Sequence, residues 1–122
     1  MILVDTSVWV DHFRHRLDSL VRLLADEQVL MHPFVMGELS LSGLTRRKEI
    51  LPLLSTLPPA MAATHDDVLQ AVAGHHLDGR GIGWIDAHLF ASALLSKAQL
   101  WTVDQRLNAV CVDAGITFKT QV

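Results

Sequence analysis

At 122 residues, half of them hydrophobic, the chain is long enough for one sizeable core and too short for two. Ten basic against 13 acidic residues, a formal charge of -3, exclude a chain-wide cationic surface for nucleic acid while leaving room for a local one. Cys111 is the only cysteine, which excludes an internal disulfide framework and a thiolate zinc cluster.

No apolar run reaches the roughly 18 residues of a membrane span, and Met1 leads directly into an apolar segment without a charged leader. The expectation is a cytoplasmic, unprocessed protein with no membrane partner. The chain opens on Ile2-Leu3-Val4-Asp5, an apolar run ending in a carboxylate, and continues with Thr6 and Ser7, whose hydroxyls suit a helix start. Open α/β sheets place their chemistry at this kind of junction, outside the carboxyl end of a strand.

Residues 6–14 and 17–26 carry apolar positions at helical spacing, with Leu17, Leu20, Val21 and Leu24 forming one stripe in the second. Val29-Leu30-Met31 is too short for a helix and reads as a strand, and Pro33 stands where helices begin. A helix is predicted over 33–42, ended by Gly43, with Glu38 the one acid among its apolar residues. Another is predicted from Thr45, with Arg46, Arg47 and Lys48 in its first turn. Cations sit poorly at a helix N-terminus, so this basic run reads as a solvated face before it reads as a phosphate contact.

Pro58-Pro59 interrupts the chain, and Thr64 caps a helix predicted to run to about residue 77. Asp78-Gly79-Arg80-Gly81-Ile82-Gly83 must be a loop; it lacks the lysine and spacing of a nucleotide-binding P-loop. A helix over 84–97 carries Asp86 in its first turn, 99–103 is a strand ending at Asp104, 106–113 is a helix stopped by Gly115, and 116–118 is a last strand. Strands alternating with helices predict a single α/β domain over residues 1–122, its mostly parallel sheet of about four to five strands covered by helices on both faces.

Asp5, Glu38, Asp86 and Asp104 share one property: each lies at a strand end or in an apolar helical stretch, where an unpaired charge is costly to bury. Each has an ordinary explanation, as a helix cap, a dipole complement or a side chain reaching solvent. Together they carry more weight, because strand-end acids of a parallel sheet converge on one edge, and oxygen-only ligands select Mg²⁺ or Mn²⁺. Carboxylates around such ions suit phosphodiester hydrolysis.

The segments Leu3-Val4-Asp5-Thr6-Ser7-Val8-Trp9, Phe34-Val35-Met36-Gly37-Glu38-Leu39, Trp84-Ile85-Asp86-Ala87-His88-Leu89-Phe90-Ala91 and Leu100-Trp101-Thr102-Val103-Asp104 together resemble a PIN domain, and more closely the VapC ribonuclease toxins of toxin-antitoxin pairs. The likeness covers essentially the whole chain with its motifs in register. It implies a PIN-like three-layer fold and a Mg²⁺- or Mn²⁺-dependent endoribonuclease that leaves 5'-phosphate and 3'-hydroxyl ends. It also implies a growth-inhibiting toxin, commonly a homodimer, held inactive by a VapB antitoxin in its active-site groove. By matching motifs, Asp5, Glu38, Asp86 and Asp104 form the metal-binding acidic quartet, with Thr102 and Thr6 orienting acids or water. The chain departs from many relatives after Asp104, where Gln105, Arg106 and Asn108 stand in place of a further acid, so the number of ions, one or two, is open.

Arg80 and Arg106 are the basic residues nearest the acids in sequence and are the candidates for phosphate contact, with Arg14 and Arg16 behind them. Trp84 is a candidate to stack on a base, with plain core packing as the alternative; Trp9 and Trp101 read as core. The seven histidines show no zinc-binding spacing, and His88 reads as structural. Asp11, six residues past Asp5, is a weaker site candidate. The rival to a nuclease is a catalytically inactive PIN-fold scaffold. A haloacid-dehalogenase-like phosphatase is disfavoured because Thr6 and Ser7 follow Asp5 where an Asp-x-Asp is needed, and a receiver domain because Lys119 lacks the matching context.

Overall fold

The structure, a computed structural model, describes residues 1–120. Its centre is β1 (Ile2–Val4), with β2 (Val29–Leu30) on one side and β3 (Gln99–Trp101) on the other, all parallel in the order β2-β1-β3. Leu3 sits opposite Leu30 and Leu100, and Val4 opposite Trp101. Successive side chains of a strand point to opposite faces, and Ile2, Leu3 and Val4 are all buried, so both faces of the sheet are covered. This accounts for a strand that is apolar without alternation.

Two single-residue bridges widen the sheet. Met31 pairs with Pro59, and Leu100 pairs with Thr117. The first ladder stops there because the next bonds on either side would need an N–H from Pro58 or Pro33, and neither has one. The segment 116–118, expected as a strand, makes two backbone bonds to β3, both around Leu100: the Leu100 amide donates to the Ile116 carbonyl at 2.8 Å, and the Phe118 amide to the Leu100 carbonyl at 3.0 Å. Among the described residues the sheet is therefore three full strands with bridged margins where four or five strands were expected.

Among the described residues seven helices surround it: α1 (Thr6–His15), α2 (Asp18–Ala25), α3 (Pro33–Leu41), α4 (Arg47–Leu54), α5 (His65–Gly74), α6 (Trp84–Leu95) and α7 (Gln105–Ala114). Helix α6 packs on β1, β3 and α5 and is buried from Ala87 to Ala93, as expected of a helix with apolar residues all round. Thr64 caps α5 through a reciprocal capping box with Asp67. That helix ends at Gly74, short of residue 77, and His76 beyond it takes a left-handed φ of 54°.

The start of α4 also differs from expectation. Thr45 does not stand at the N-cap; Arg46 does, in the left-handed region at φ 60° and without a side-chain capping bond, its guanidinium on Glu49 three residues on. The Arg47 guanidinium donates to the Ser40 carbonyl. Two of the three cations in this run are thus spent on local partners. Among the described residues, no helix is long and apolar enough to cross a membrane.

The core gathers Leu3, Val4, Trp9, Leu39, Leu89, Phe90, Leu100 and Leu107, all essentially without solvent contact. Leu100 sits in β3 with no exposure, directly before the segment that carries Thr102 and Asp104. Leu100→Ala is expected to lower unfolding free energy by about 3 kcal/mol in urea melts. A loss under about 1 kcal/mol would show that β3 is not anchored as described.

Candidate active site at the carboxyl edge of the sheet

Strands β1 and β3 are neighbours running the same way, so the residues that follow them meet at one edge. Asp5, directly after β1, is 6% exposed, and its amide donates to the Trp101 carbonyl at 2.9 Å. Although Asp5 occupies the N-cap position of α1, its side chain caps nothing. Instead Oδ2 accepts two hydrogen bonds at 2.7 Å, from the Ser7 and Thr102 hydroxyls. Those hydroxyl oxygens accept in turn from backbone: Val103 N–H reaches Ser7 Oγ at 3.3 Å and Asp104 N–H reaches Thr102 Oγ1 at 3.1 Å.

Asp104 plays the part of a helix cap, its Oδ1 accepting from the Leu107 amide at 2.9 Å at the start of α7. Its exposed side chain retains a second oxygen toward solvent. Glu38, on the exposed side of α3, accepts the Thr6 hydroxyl at 2.8 Å. Of the two candidate threonines, Thr102 donates to Asp5 and Thr6 to Glu38. Ser7, two residues after that strand-end acid, supplies the second hydroxyl on Asp5, whereas its neighbour Thr6 turns to Glu38.

Asp86, in the first turn of α6, is the acid with no side-chain hydrogen bond among the described residues. Burial pushes its carboxyl up to about 6, with further pushes from the negative charges of Asp5, Asp104 and Glu38. Four acids from distant segments thus act on one another electrostatically. As placed, among the described residues no three of His, Cys, Asp and Glu close into a ready cage for an ion. Three of the four carboxylates are turned onto hydroxyl or backbone donors instead. The donor set is nonetheless all oxygen, and Asp86 faces repulsion that a cation would relieve; both fit a hard divalent ion.

Below the site, Cys111 is buried and its thiol is pushed up to about 12 by desolvation and by the nearby Asp5 and Asp86, which leaves it inert as a nucleophile. His88 is structural as expected, packed between Phe34 at 4.8 Å and Trp84 at 5.0 Å. Buried His32 caps α3 by accepting the Phe34 amide on Nδ1 at 2.9 Å, and burial, then His88, lowers it to about 4. Asp11 is not among the charges that shift Asp86.

The substrate candidates fare differently from one another. Arg80 is paired with Asp113 of α7 at 2.8 Å. Arg106 is exposed, makes no ion pair among the described residues, and lies against Gly81. Trp84 is not core: it is 43% exposed at the start of α6, its ring 5.2 Å from that of His65. Trp9 and Trp101 are buried as expected.

A three-layer α/β domain with acids converging at the carboxyl edge of a parallel sheet agrees with the PIN-domain family, whose model matches residues 2–113; the chain belongs to that family. Within it, the chain is 45% identical to Ribonuclease VapC32 of Mycobacterium tuberculosis strain CDC 1551 / Oshkosh and to Ribonuclease VapC32 of strain ATCC 25618 / H37Rv, in each case over all of this chain and 99% of the relative. The chain is therefore a VapC-family PIN domain.

Asp86 yields a pH signature. Its folded value of about 6 lies above the ordinary 3.8, so its contribution to stability is complete below pH 3.8 and lost as pH rises through 6. In EDTA, Asp86→Asn is expected to be more stable than wild type at pH 7.5 by roughly 1–2 kcal/mol, a gain that vanishes at pH 4. His32 works in the opposite sense, losing stability as pH falls from 6.5 toward 4, so the difference between the two proteins, not either curve, isolates Asp86. A gap independent of pH would refute the acid cluster's electrostatics. Thr102→Val leaves Asp5 one donor short and is expected to lower stability by about 1–3 kcal/mol in urea melts.

Proposed function

We propose that the protein is a Mg²⁺- or Mn²⁺-dependent endoribonuclease that cuts single-stranded or loop RNA and acts as the growth-inhibiting toxin of a toxin-antitoxin pair. The observation that carries this reading is the convergence of Asp5, Asp104, Asp86 and Glu38 on the edge where β1 and β3 end, with Asp5 clamped by Ser7 and Thr102. VapC membership supports RNA as the substrate.

Asp5, Asp86, Asp104 and Glu38 would hold the divalent cation. When bound, such an ion supplies Lewis-acid stabilisation of phosphate charge and lowers the pKa of water. The chain's own groups do the rest. Ser7 and Thr102 fix the Asp5 carboxylate and keep it from swinging away, and Thr6 does the same for Glu38. Asp86, with no side-chain hydrogen bond among the described residues, is the carboxylate freest to turn onto the ion. Arg106, an exposed cation two residues after Asp104, contacts a phosphate of the substrate strand, which positions RNA without reading its sequence. A VapB-type antitoxin, a second copy of the chain and a cytoplasmic setting belong to the same proposal, on the strength of the family.

Asp5→Asn and Asp86→Asn are each expected to lower RNA cleavage in Mn²⁺ by more than about 100-fold, the upper end of what losing an outer-shell partner costs, with the circular dichroism spectrum unchanged. Growth inhibition on induced expression should vanish with cleavage. If purified Asp5→Asn cut RNA at the wild-type rate, the site assignment would be wrong. Calorimetry distinguishes the scaffold alternative: no Mg²⁺ or Mn²⁺ binding to the intact acids would favour it.

A further inference from the structure

Between α5 and α6, under the loop of residues 78–83, lies an apolar slot of about 230 Å³ that the acid site does not use. Leu69, Leu77, Ile82 and Trp84 form its walls, and Asp78 is the one ionisable side chain among its lining residues. Drug-sized ligands occupy about 300–1,000 Å³, so this space suits a single heterocyclic ring system. It is too small for a helix, about 10–12 Å across with its side chains.

Its position ties it to the acids. Trp84 lies on its wall and precedes Asp86 by two residues in the first turn of α6. Gly81 lies on its rim, and across Gly81 runs the Arg106 side chain, two residues past Asp104. A Cβ at Gly81 would stand 2.8 Å from Arg106 Nη1 and 2.9 Å from Cδ, and its φ of +75° already disfavours a side chain. Glycine at 81 therefore lets the guanidinium lie flat on the loop, at the mouth of the slot.

We infer that this slot receives one unpaired base of the RNA strand, stacked on Trp84, with its phosphate held by Arg106 over Gly81. The inference rests on the nuclease reading above and adds to it a base-selecting subsite. An aromatic wall accepts any base by its π-face, which gives affinity without choice. Choice comes from Asp78, an acceptor that pairs with an exocyclic amino group. Cytosine, adenine and guanine carry such a donor, whereas uracil offers only an N3–H flanked by two carbonyl oxygens that repel the carboxylate, so the slot disfavours uracil. Gly81 is a positioning residue, acting through Arg106.

Titration of the full-length protein in EDTA with CMP, AMP, GMP, UMP and ribose 5-phosphate tests this, read at the Trp84 indole N–H in ¹H–¹⁵N spectra and assigned by Trp84→Phe. CMP, AMP and GMP are expected to shift that signal, UMP to bind at least 10-fold more weakly, and ribose 5-phosphate to leave it in place. Leu69→Trp, which fills the slot from a half-exposed position, should abolish the shifts, Asp78→Asn should erase the discrimination against UMP, and Gly81→Ala should weaken every nucleotide. The proposal is overturned if no nucleotide moves the Trp84 signal, if ribose 5-phosphate moves it equally, or if Leu69→Glu reduces the sedimenting mass, because a second copy then covers the slot. Because no ion is present, the outcome separates from catalysis. A protein that cuts RNA in Mn²⁺ with a silent Trp84 loses the slot and keeps the nuclease; one that binds CMP and cuts nothing does the reverse.

Discussion

The Asp5 carboxylate, all but withdrawn from solvent and held by two hydroxyls, is the constraint on which the site depends. A carboxylate buried without partners would cost several kcal/mol, and two short hydroxyl bonds to one oxygen offset that. Their donors come from positions far apart in the chain, Ser7 at the start of α1 and Thr102 just past β3. Each hydroxyl also accepts a backbone N–H, from Val103 and Asp104. The result is a relay in which the backbone of residues 103–104 is fixed by the side chains that fix Asp5. Asp104 inherits its position from this relay before it makes any bond of its own.

The four acids are consequently unequal. Asp5 is buried with two hydroxyls on its Oδ2, Asp104 is half committed to the start of α7, Glu38 rests on Thr6 at the surface, and Asp86 has no hydrogen-bond partner among the described residues. Equal acids at such a site would share their repulsion evenly. Here Asp86, half-buried and without a hydrogen-bond partner among the described residues, is pushed up to about 6 first by desolvation and then by the charges of Asp5, Asp104 and Glu38. The inequality follows from topology: two acids leave strand ends and are tethered by the sheet, whereas Asp86 sits on a helix packed over them.

Much of this was legible in the sequence. Ile2-Leu3-Val4 could only be a doubly covered strand, and an acid closing such a strand in a parallel sheet must face the carboxyl edge. Glu38 and Asp86 stood out only as charges in apolar surroundings, and the family likeness gave them roles. What stayed hidden depends on tertiary placement. The Arg80 ion pair with Asp113 joins residues 33 positions apart on different elements, so sequence proximity to the acids said nothing about it. Thr45 is a better cap than Arg46 by intrinsic preference, yet the Arg46–Glu49 pair accompanies the helix start one residue later. Trp84 was readable as core because its neighbours are apolar, but the first turn of α6 projects past the packed layer, and its ring is left half in solvent.

The slot was invisible for a further reason: it is what the packing of α5 and α6 leaves unfilled, and no residue type announces a gap. The glycine loop beside it binds two parts of the site together. Arg80 reaches from that loop to Asp113 near the end of α7, and Arg106, near the start of α7, lies on Gly81. The loop is thereby held to α7 at both ends of the helix, while its last residue, Gly83, is the N-cap of α6. Asp104 begins α7 and Asp86 lies in the first turn of α6, so the loop ties together the two helices that carry these acids, while the relay from Asp5 fixes Asp104 and the packing of α6 on the sheet fixes Asp86. A side chain at 81 would meet the guanidinium and displace Arg106 from the loop. Glycine at this position thus keeps the start of α7 and the loop in close contact.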